Sequence, residues 1–168
     1  MARARDLALG AAAALLGRAA LPLALKAKFS RDVERLDRGD YTPLLRAYAD
    51  DFVLHFHEGE HRWSGTWTGR AGMERFLQRY TAARIQGRIR AIATSGPLWR
   101  MTLWVRFDDH ADGPDGERLY ENRTVLVLRT RWGKVVEQED YYADTDRIAA
   151  FDRRLTELGV PAGLPPQP

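Results

Sequence analysis

The sequence contains no cysteine among its 168 residues. The chain therefore forms no disulfide, uses no thiolate nucleophile and holds no cysteine-ligated zinc. It also lacks a glycine-rich phosphate loop, a dinucleotide-binding fingerprint and a Ser-His-Asp signature, which argues against kinases, dehydrogenases and serine hydrolases. We accordingly predict neither a cofactor nor a metal ion.

Neither sign of charge dominates. The 26 Lys and Arg residues against 23 Asp and Glu leave a net charge of +3. The two signs are interleaved, as in Arg31-Asp32 and Glu74-Arg75, a pattern typical of solvated helix faces. We therefore predict no nucleic-acid partner despite a pI near 9.4. A hydrophobic content of 45% is enough for one core, and thus for one domain.

The sequence also lacks a long hydrophobic run. The Ala/Leu run Leu7–Leu16 is about ten residues, whereas a membrane-spanning helix needs roughly 20. Basic residues before it resemble a signal peptide, but Asp6, Arg18 and the missing cleavage site argue against one. We predict that residues 1–22 form a helical or signal-like extension, residues 23–158 the domain and residues 159–168 a flexible Pro-rich tail. The expected location is cytoplasmic, with a secreted or membrane-associated form as the alternative if residues 1–22 act as a signal.

Helical patterns come first along the chain and strand patterns follow. One helix reaches Gly39, a second runs from Thr42-Pro43 to Asp50-Asp51, and a third carries Phe76 and Tyr80. Residues 108–116 are predicted to be a loop, and Asp144 or Thr145 to cap a last helix. Strands are predicted at residues 52–57, 85–94, 98–107, 119–130 and 135–142. Helices followed by antiparallel hairpins favour the α+β class.

Several short motifs occur in the order and spacing of a known family: Gly39-Asp40, Tyr48-Ala49-Asp50-Asp51, Thr68-Gly69-Arg70, Gly133-Lys134-Val135-Val136 and Tyr142-Ala143-Asp144. Over roughly residues 29–158 the chain resembles the SnoaL-like branch of the nuclear transport factor 2-like (NTF2-like) superfamily. The resemblance implies a cone-shaped α+β barrel, in which a curved mixed or antiparallel sheet wraps around N-terminal helices and an apolar pocket. Because the superfamily includes steroid isomerases, limonene epoxide hydrolases, scytalone dehydratases, polyketide cyclases and binding proteins, it does not specify a reaction.

The resemblance also shows which known catalytic positions are changed. The general base of the steroid isomerases falls on Phe56, and their first-helix tyrosine falls on Asp32. The Tyr and Asn of the epoxide hydrolases fall on Leu54 and Phe56, so neither set is intact. The same register, with the two-residue period of a strand, predicts that one face of the last strand lines the pocket with Gln138, Asp140 and Tyr142.

These positions suggest acid–base chemistry. We predict that Asp140 and Asp32 face the cavity, where desolvation and mutual repulsion raise the pKa of at least one carboxyl. Asn122 and Tyr142 are the predicted donors to an oxyanion. Two alternatives stay open: Asp32 pairs with its neighbouring arginines on a solvated helix face, and Asp140 belongs to an exposed edge or a subunit contact.

His55, His57 and His61 form a superficially metal-like cluster. The register that sends Leu54 and Phe56 inward sends His55 and His57 outward, which favours a structural or interface role. A bulge of one residue would bring His57 into the pocket as the base, so His57 is kept as a further catalytic candidate.

The pocket wall is predicted to contain Leu54, Phe56, Trp63, Trp99, Tyr120 and Gln138. The five tryptophans also suggest a homodimer through the sheet, because tryptophan is common in subunit contacts. Our first hypothesis is a cofactor-independent isomerase, lyase or hydrolase acting on a hydrophobic small molecule such as a polyketide, terpenoid or steroid-like compound. The alternative is non-catalytic binding of an apolar ligand or a protein partner.

Overall fold

A computed structural model describes the backbone of residues 2–161 and the side chains of residues 20–161. The elements follow the predicted order, with helices first and most strands later. They are α1 (Ala2–Asp37), α2 (Thr42–Ala47), β1 (Tyr48–Phe56), β2 (Gly65–Thr68), α3 (Gly69–Ala82), β3 (Gln86–Ser95), β4 (Thr102–Asp112), β5 (Arg118–Arg131), β6 (Lys134–Tyr142) and α4 (Asp146–Glu157).

The strands form one six-stranded sheet in the order β2-β1-β6-β5-β4-β3. In this sheet β1 and β6, the second and third strands, are parallel, and every other neighbouring pair is antiparallel. The sheet is curved and open, and the helices pack on its inner face, so the predicted cone-shaped α+β fold is confirmed. Alternate residues of β4 and β5 are buried because successive side chains of a strand point to opposite faces.

Helix α1 is continuous from Ala2 to Asp37 and includes the whole Leu7–Leu16 run. Within the described part of the chain, no helix combines the length and apolar character that a bilayer crossing requires. The division of the chain at residues 22 and 158 stays a prediction, and most of the predicted Pro-rich tail lies outside the described residues.

Three predicted boundaries are wrong. The strand predicted over residues 98–107 begins only at Thr102, and residues 98–100 form a turn. The second helix was expected to reach Asp50-Asp51, but it ends at Ala47 and β1 begins at Tyr48. Residues 108–112 were expected to lie in a loop, but they continue β4 and pair with β5 as far as Asp112 opposite Arg118. Residues 113–117 form the tight turn between the two strands, and the Gly113 N–H donates to the carbonyl of Glu117. Pairing with a neighbouring strand has overridden the local turn composition.

Strand β3 passes close to β4 at Gly87. Its N–H donates to Asp37 Oδ1 at the end of α1, with an N–O distance of 3.1 Å. Burial raises the pKa of Asp37 to about 6. A β-carbon at position 87 would lie 1.9 Å from Cζ of Phe107, so the close packing of the two strands requires glycine.

We expect Gly87→Ala to lower the free energy of unfolding by about 2 kcal/mol or more, because the Phe107 ring or the strand must move. Urea denaturation measures the change. Gly113→Ala is the matched control, since its β-carbon would meet the side chain of Glu117 at 3.1 Å and that chain can move away. Equal stability of the two variants would contradict this account of the packing.

Candidate functional site

An apolar cavity lies between the inner face of the sheet and helices α1, α2 and α3. Its volume is about 100 Å³, well above the 10–15 Å³ or so that one water needs. Most of the wall is hydrocarbon, and its polar groups are Gln138, Asp140 and three tyrosine hydroxyls. The lining residues are Phe29, Val33, Leu36, Leu44, Ala47, Tyr48, Met73, Phe76, Leu77, Tyr80, Ile89, Val105, Phe107, Leu126, Leu128, Val135, Gln138, Asp140 and Tyr142.

Strand β6 supplies the polar groups of the cavity wall. Gln138, Asp140 and Tyr142 alternate on its inner face, and all three line the cavity as the sequence predicts. Asp140 lies opposite Leu126 of β5, which places its carboxyl among apolar side chains. Desolvation raises the pKa of Asp140 to about 7.

A chain of hydrogen bonds fixes the Asp140 carboxyl. The Tyr48 hydroxyl donates to Gln138 Oε1 over 2.7 Å. Gln138 Nε2 in turn donates to Asp140 Oδ1 over 2.7 Å. This bond favours the ionised carboxyl, but the effect of burial is larger. Tyr48, which the sequence analysis did not single out, is therefore a positioning residue for Asp140.

The second buried carboxyl of the site is Asp109. It lies on the inner face of β4 with 2% of its surface exposed. The hydroxyls of Tyr120 and Tyr142 each donate to Asp109 Oδ2 over 3.4 Å, while Oδ1 has no hydrogen-bond partner among the described residues. Burial raises the pKa of Asp109 to about 7 despite these two bonds.

A small side cavity of about 10 Å³ contains Asp109 and adjoins the main cavity. The two spaces share Phe76, Tyr80 and Tyr142. The negative charge of Asp109 contributes to the raised pKa of Asp140, so the two carboxyls interact. Tyr142 thus lines both spaces between the two acids, and its phenol stays protonated because burial and both carboxyls raise its pKa.

Tyr80 of α3 adds another hydroxyl to this centre. The side chain is buried, and its oxygen has no partner among the described residues. Burial and the nearby Asp109 raise the pKa of this phenol well above 10. It therefore remains an available hydrogen-bond donor to a molecule in the cavity.

Asp109 and Tyr80 were missed by the sequence analysis for different reasons. Asp109 was assigned to a loop, although the two-residue period Leu103, Val105, Phe107, Asp109 and Ala111 runs unbroken through that segment, and all five are buried. That period was the available signal. Tyr80 was treated only as part of the apolar face of α3, where spacing alone does not distinguish a core tyrosine from a donor.

Asp32 does not line the cavity, so the prediction that it pairs with Asp140 is wrong. Its Oδ2 accepts a hydrogen bond from Lys28 Nζ over 2.7 Å, one helical turn earlier. The alternative of a charge pair on the helix was the better one, but the partner is Lys28 and not Arg31 or Arg35, and the Asp32 side chain is only 14% exposed. The second carboxyl near Asp140 is therefore that of Asp109 and not that of Asp32.

Asn122 is inward and buried, but its side chain is already used. Its Nδ2 donates to the carbonyl of Asp144 over 2.6 Å, and its Oδ1 accepts from the N–H of Arg123. It does not line the cavity, so the prediction of an oxyanion donor at Asn122 is wrong. Asp144 Oδ1 accepts the N–H of Arg147 at the start of α4, as the predicted capping role requires.

His57 also stays outside the cavity. It follows the last residue of β1, and its ring stacks on His61 with the centroids 5.7 Å apart. Strand β1 does shift register against β6, but between Tyr48 and Val53, and Leu54 and Phe56 still point inward. The bulge alternative for His57 is therefore wrong. No cluster of three or more potential metal ligands occurs within the residues that the structure describes.

The predicted wall residues have different positions. Phe56, Trp63 and Tyr120 line the small side cavity next to Asp109. Leu54 is fully buried in the core and lines neither cavity. The prediction for Trp99 is wrong, because it lies in the turn before β4 and is 56% exposed. The homodimer stays a prediction; the outer face of the sheet exposes Trp104, Val125 and Tyr141.

Comparison with known proteins identifies the family. The family model of the SnoaL-like domain matches residues 30–138, which is more than half of the chain. The chain belongs to the SnoaL-like family. No curated protein matches it significantly.

Solved structures of other proteins share the fold of this SnoaL-like protein. Bal32a, from a soil-derived mobile gene cassette, has a TM-score of 0.59 at 18% identity, covering 73% of this chain and 92% of Bal32a. An NTF2-like protein of unknown function from Burkholderia pseudomallei has a TM-score of 0.57 at 21% identity, covering 72% and 91%. TerC, co-crystallised with polyporic acid, has a TM-score of 0.56 at 21% identity, covering 73% and 92%. At these identities the likeness shows the fold alone.

The buried carboxyls should lower stability at neutral pH. Each has a pKa of about 7 in the folded chain against an ordinary value of 3.8. Between these values the unfolded chain binds fewer protons than the folded one, so stability falls as the pH rises. We expect Asp140→Asn and Asp109→Asn each to increase the free energy of unfolding by on the order of 3 kcal/mol at pH 8.

That gain should shrink to under about 1 kcal/mol at pH 4, where the folded carboxyls are protonated and the unfolded ones, with an ordinary pKa of 3.8, are only a little more than half ionised. Urea denaturation at a series of pH values measures both ends. Asp115→Asn, in the exposed turn between β4 and β5, should give no pH-dependent gain. A gain for Asp140→Asn that is the same at pH 4 and pH 8 would show that burial does not perturb its carboxyl.

Proposed function

We propose that this SnoaL-like protein catalyses a proton-transfer reaction, an isomerisation, elimination or hydrolysis, on a hydrophobic small molecule. The observation that carries the proposal is a pair of acids, the half-buried Asp140 and the buried Asp109, at an otherwise apolar cavity with hydroxyl donors beside them. A perturbed carboxyl in such a cavity is a feature of catalytic sites. Carboxyl and phenol groups perform this chemistry by themselves.

Asp140 is the proposed general base. Its pKa of about 7 leaves a large ionised fraction at neutral pH while making the carboxylate more basic than an exposed one. The bond from Gln138 holds one oxygen, and the carboxyl faces the cavity where substrate would lie. Among apolar side chains few water molecules can hydrogen-bond to the carboxylate, so its oxygen stays free to accept a proton from the substrate.

Tyr142 and Tyr80 are the proposed oxyanion donors. Both phenols line the cavity and remain protonated. When a proton leaves the carbon next to a carbonyl, negative charge develops on the carbonyl oxygen, and preorganised hydroxyls stabilise it. The Tyr142 hydroxyl donates to Asp109 in the structure, so Asp109 supports this step as a positioning residue when it is protonated. Its O–H can then donate to the Tyr142 oxygen and leave the Tyr142 hydrogen for the substrate.

The alternative is binding without turnover. The hydrocarbon wall of the cavity favours it, because the same arrangement holds an apolar ligand whether or not a reaction follows. TerC, whose fold is similar, was co-crystallised with polyporic acid. The two functions differ in one respect: in catalysis Asp140 removes a proton from the bound molecule, and in simple binding it does not.

Deuterium exchange at the α-carbon of 2-tetralone tests the proposal. In D₂O the ketone loses its α-proton NMR signal if the protein abstracts the proton, whatever the natural product of the reaction. We expect the exchange rate to rise with pH through about 7, following ionisation of Asp140. Asp140→Asn should lower the rate about 100-fold or more, and Tyr142→Phe roughly tenfold or more.

The matched control is Asp115→Asn, which removes a carboxyl from the exposed turn and should leave the rate unchanged. Binding of 2-tetralone is followed in parallel by tryptophan fluorescence. Saturable binding with exchange no faster than in an equal concentration of acetate would overturn catalysis in favour of binding. Exchange that survives in Asp140→Asn would overturn the assignment of the base.

A further inference from the structure

A second, larger space adjoins the cavity on its outer side. This outer groove has a volume of about 620 Å³ and runs between α1, α2 and the turn that joins β5 to β6. It shares Phe29, Ala47 and Val135 with the inner cavity, so these three side chains border both spaces.

The wall of the outer groove is basic. Lys28, Arg35, Arg46 and Lys134 line it, and Asp40 is its one acidic residue. Two of these charges are already neutralised. Lys28 pairs with Asp32, and Arg35 Nε donates to Asp40 Oδ2 over 2.9 Å.

Arg46 and Lys134 keep their charge. Within residues 20–161, neither side chain forms an ion pair with a carboxylate. Lys134 Nζ donates to the backbone carbonyl of Arg46, which places the ammonium at the end of α2, and both side chains line the groove. The groove therefore offers two exposed positive charges beside an apolar cavity.

The inner cavity has the opposite character. Its acidic group is Asp140, and Asp109 lies in the side cavity beyond Tyr142. An anion of the ligand placed in the inner cavity would lose its hydration and be repelled by these carboxylates. An anionic group on a ligand would accordingly lie outward, and its apolar part inward. The charge distribution specifies both the kind of ligand and its direction of entry.

From this arrangement we infer that the ligand of the cavity is an amphipathic anion. Its apolar body fills the inner cavity beside Asp140, and its carboxylate or sulfonate lies between Arg46 and Lys134. The inference concerns the cavity of the proposed function and names its substrate class, but it holds equally if the protein only binds the ligand.

Two dyes with the same apolar skeleton test it. 1-Anilinonaphthalene-8-sulfonate carries an anionic group, and N-phenyl-1-naphthylamine lacks it; both fluoresce more strongly in apolar surroundings. The double variant Arg46→Gln, Lys134→Gln should raise the Kd of the sulfonate about five- to tenfold, as two exposed ion pairs suggest. The Kd of the neutral dye should stay within about twofold, because its apolar contacts are unchanged.

The matched control is Arg88→Gln, Arg153→Gln, which removes the same charge from two exposed positions away from the groove and should leave both Kd values unchanged. Leu126→Phe, which narrows the inner cavity, should weaken both dyes alike. An unchanged Kd for the sulfonate in the groove variant would overturn the inference. So would undiminished binding of both dyes to Leu126→Phe, since the probes would then lie elsewhere.

The outcomes separate this inference from the proposed catalysis. Asp140→Asn should abolish exchange and leave the preference for the sulfonate intact. Normal exchange without any charge-dependent dye binding would overturn the anionic ligand alone. Salt-sensitive self-association that disappears in the groove variant would assign the groove to a second copy of the chain instead.

Discussion

The structure of this site depends on the free energy of placing a carboxylate in a hydrocarbon environment. Asp140 has one strong donor, Gln138, and Asp109 has two long bonds from tyrosines, which is less than water would give either group. Both carboxyls therefore remain partly protonated near neutrality. The tyrosines are affected in the opposite sense, because burial next to acids keeps their phenols neutral. Bases and donors of suitable strength arise from one cause, desolvation.

The curved sheet makes that environment possible. Its inner face presents alternate residues of β4, β5 and β6 in cross-strand rows, such as Phe107, Thr124 and Tyr142. A substitution at an inward position changes the chemistry of the cavity, whereas its outward neighbour changes only the surface. This explains how one fold holds unrelated catalytic sets.

Periodicity predicted much of the fold and half of the site. The Gly133-Lys134-Val135-Val136 turn fixed the phase of β6, so Gln138, Asp140 and Tyr142 were placed on the correct face. Asp109 was missed because Asp, Gly and Pro nearby indicate a loop, and only pairing with β5 shows that the strand continues. Asp32 and Asn122 have the right residue types and sit near the right elements. Their partners, Lys28 and the Asp144 carbonyl, are contacts that position along the chain does not reveal.

The parallel pairing of β1 with β6 has a consequence for folding. Leu54 lies opposite Gln138, so the middle of the sheet joins residues that are far apart along the chain. Such nonlocal contacts form late, because a long loop must close before they stabilise anything. Hairpins β3–β4 and β4–β5 are local and can form earlier. On the ribosome, the cavity acquires Gln138, Asp140 and Tyr142 only after β6 has emerged.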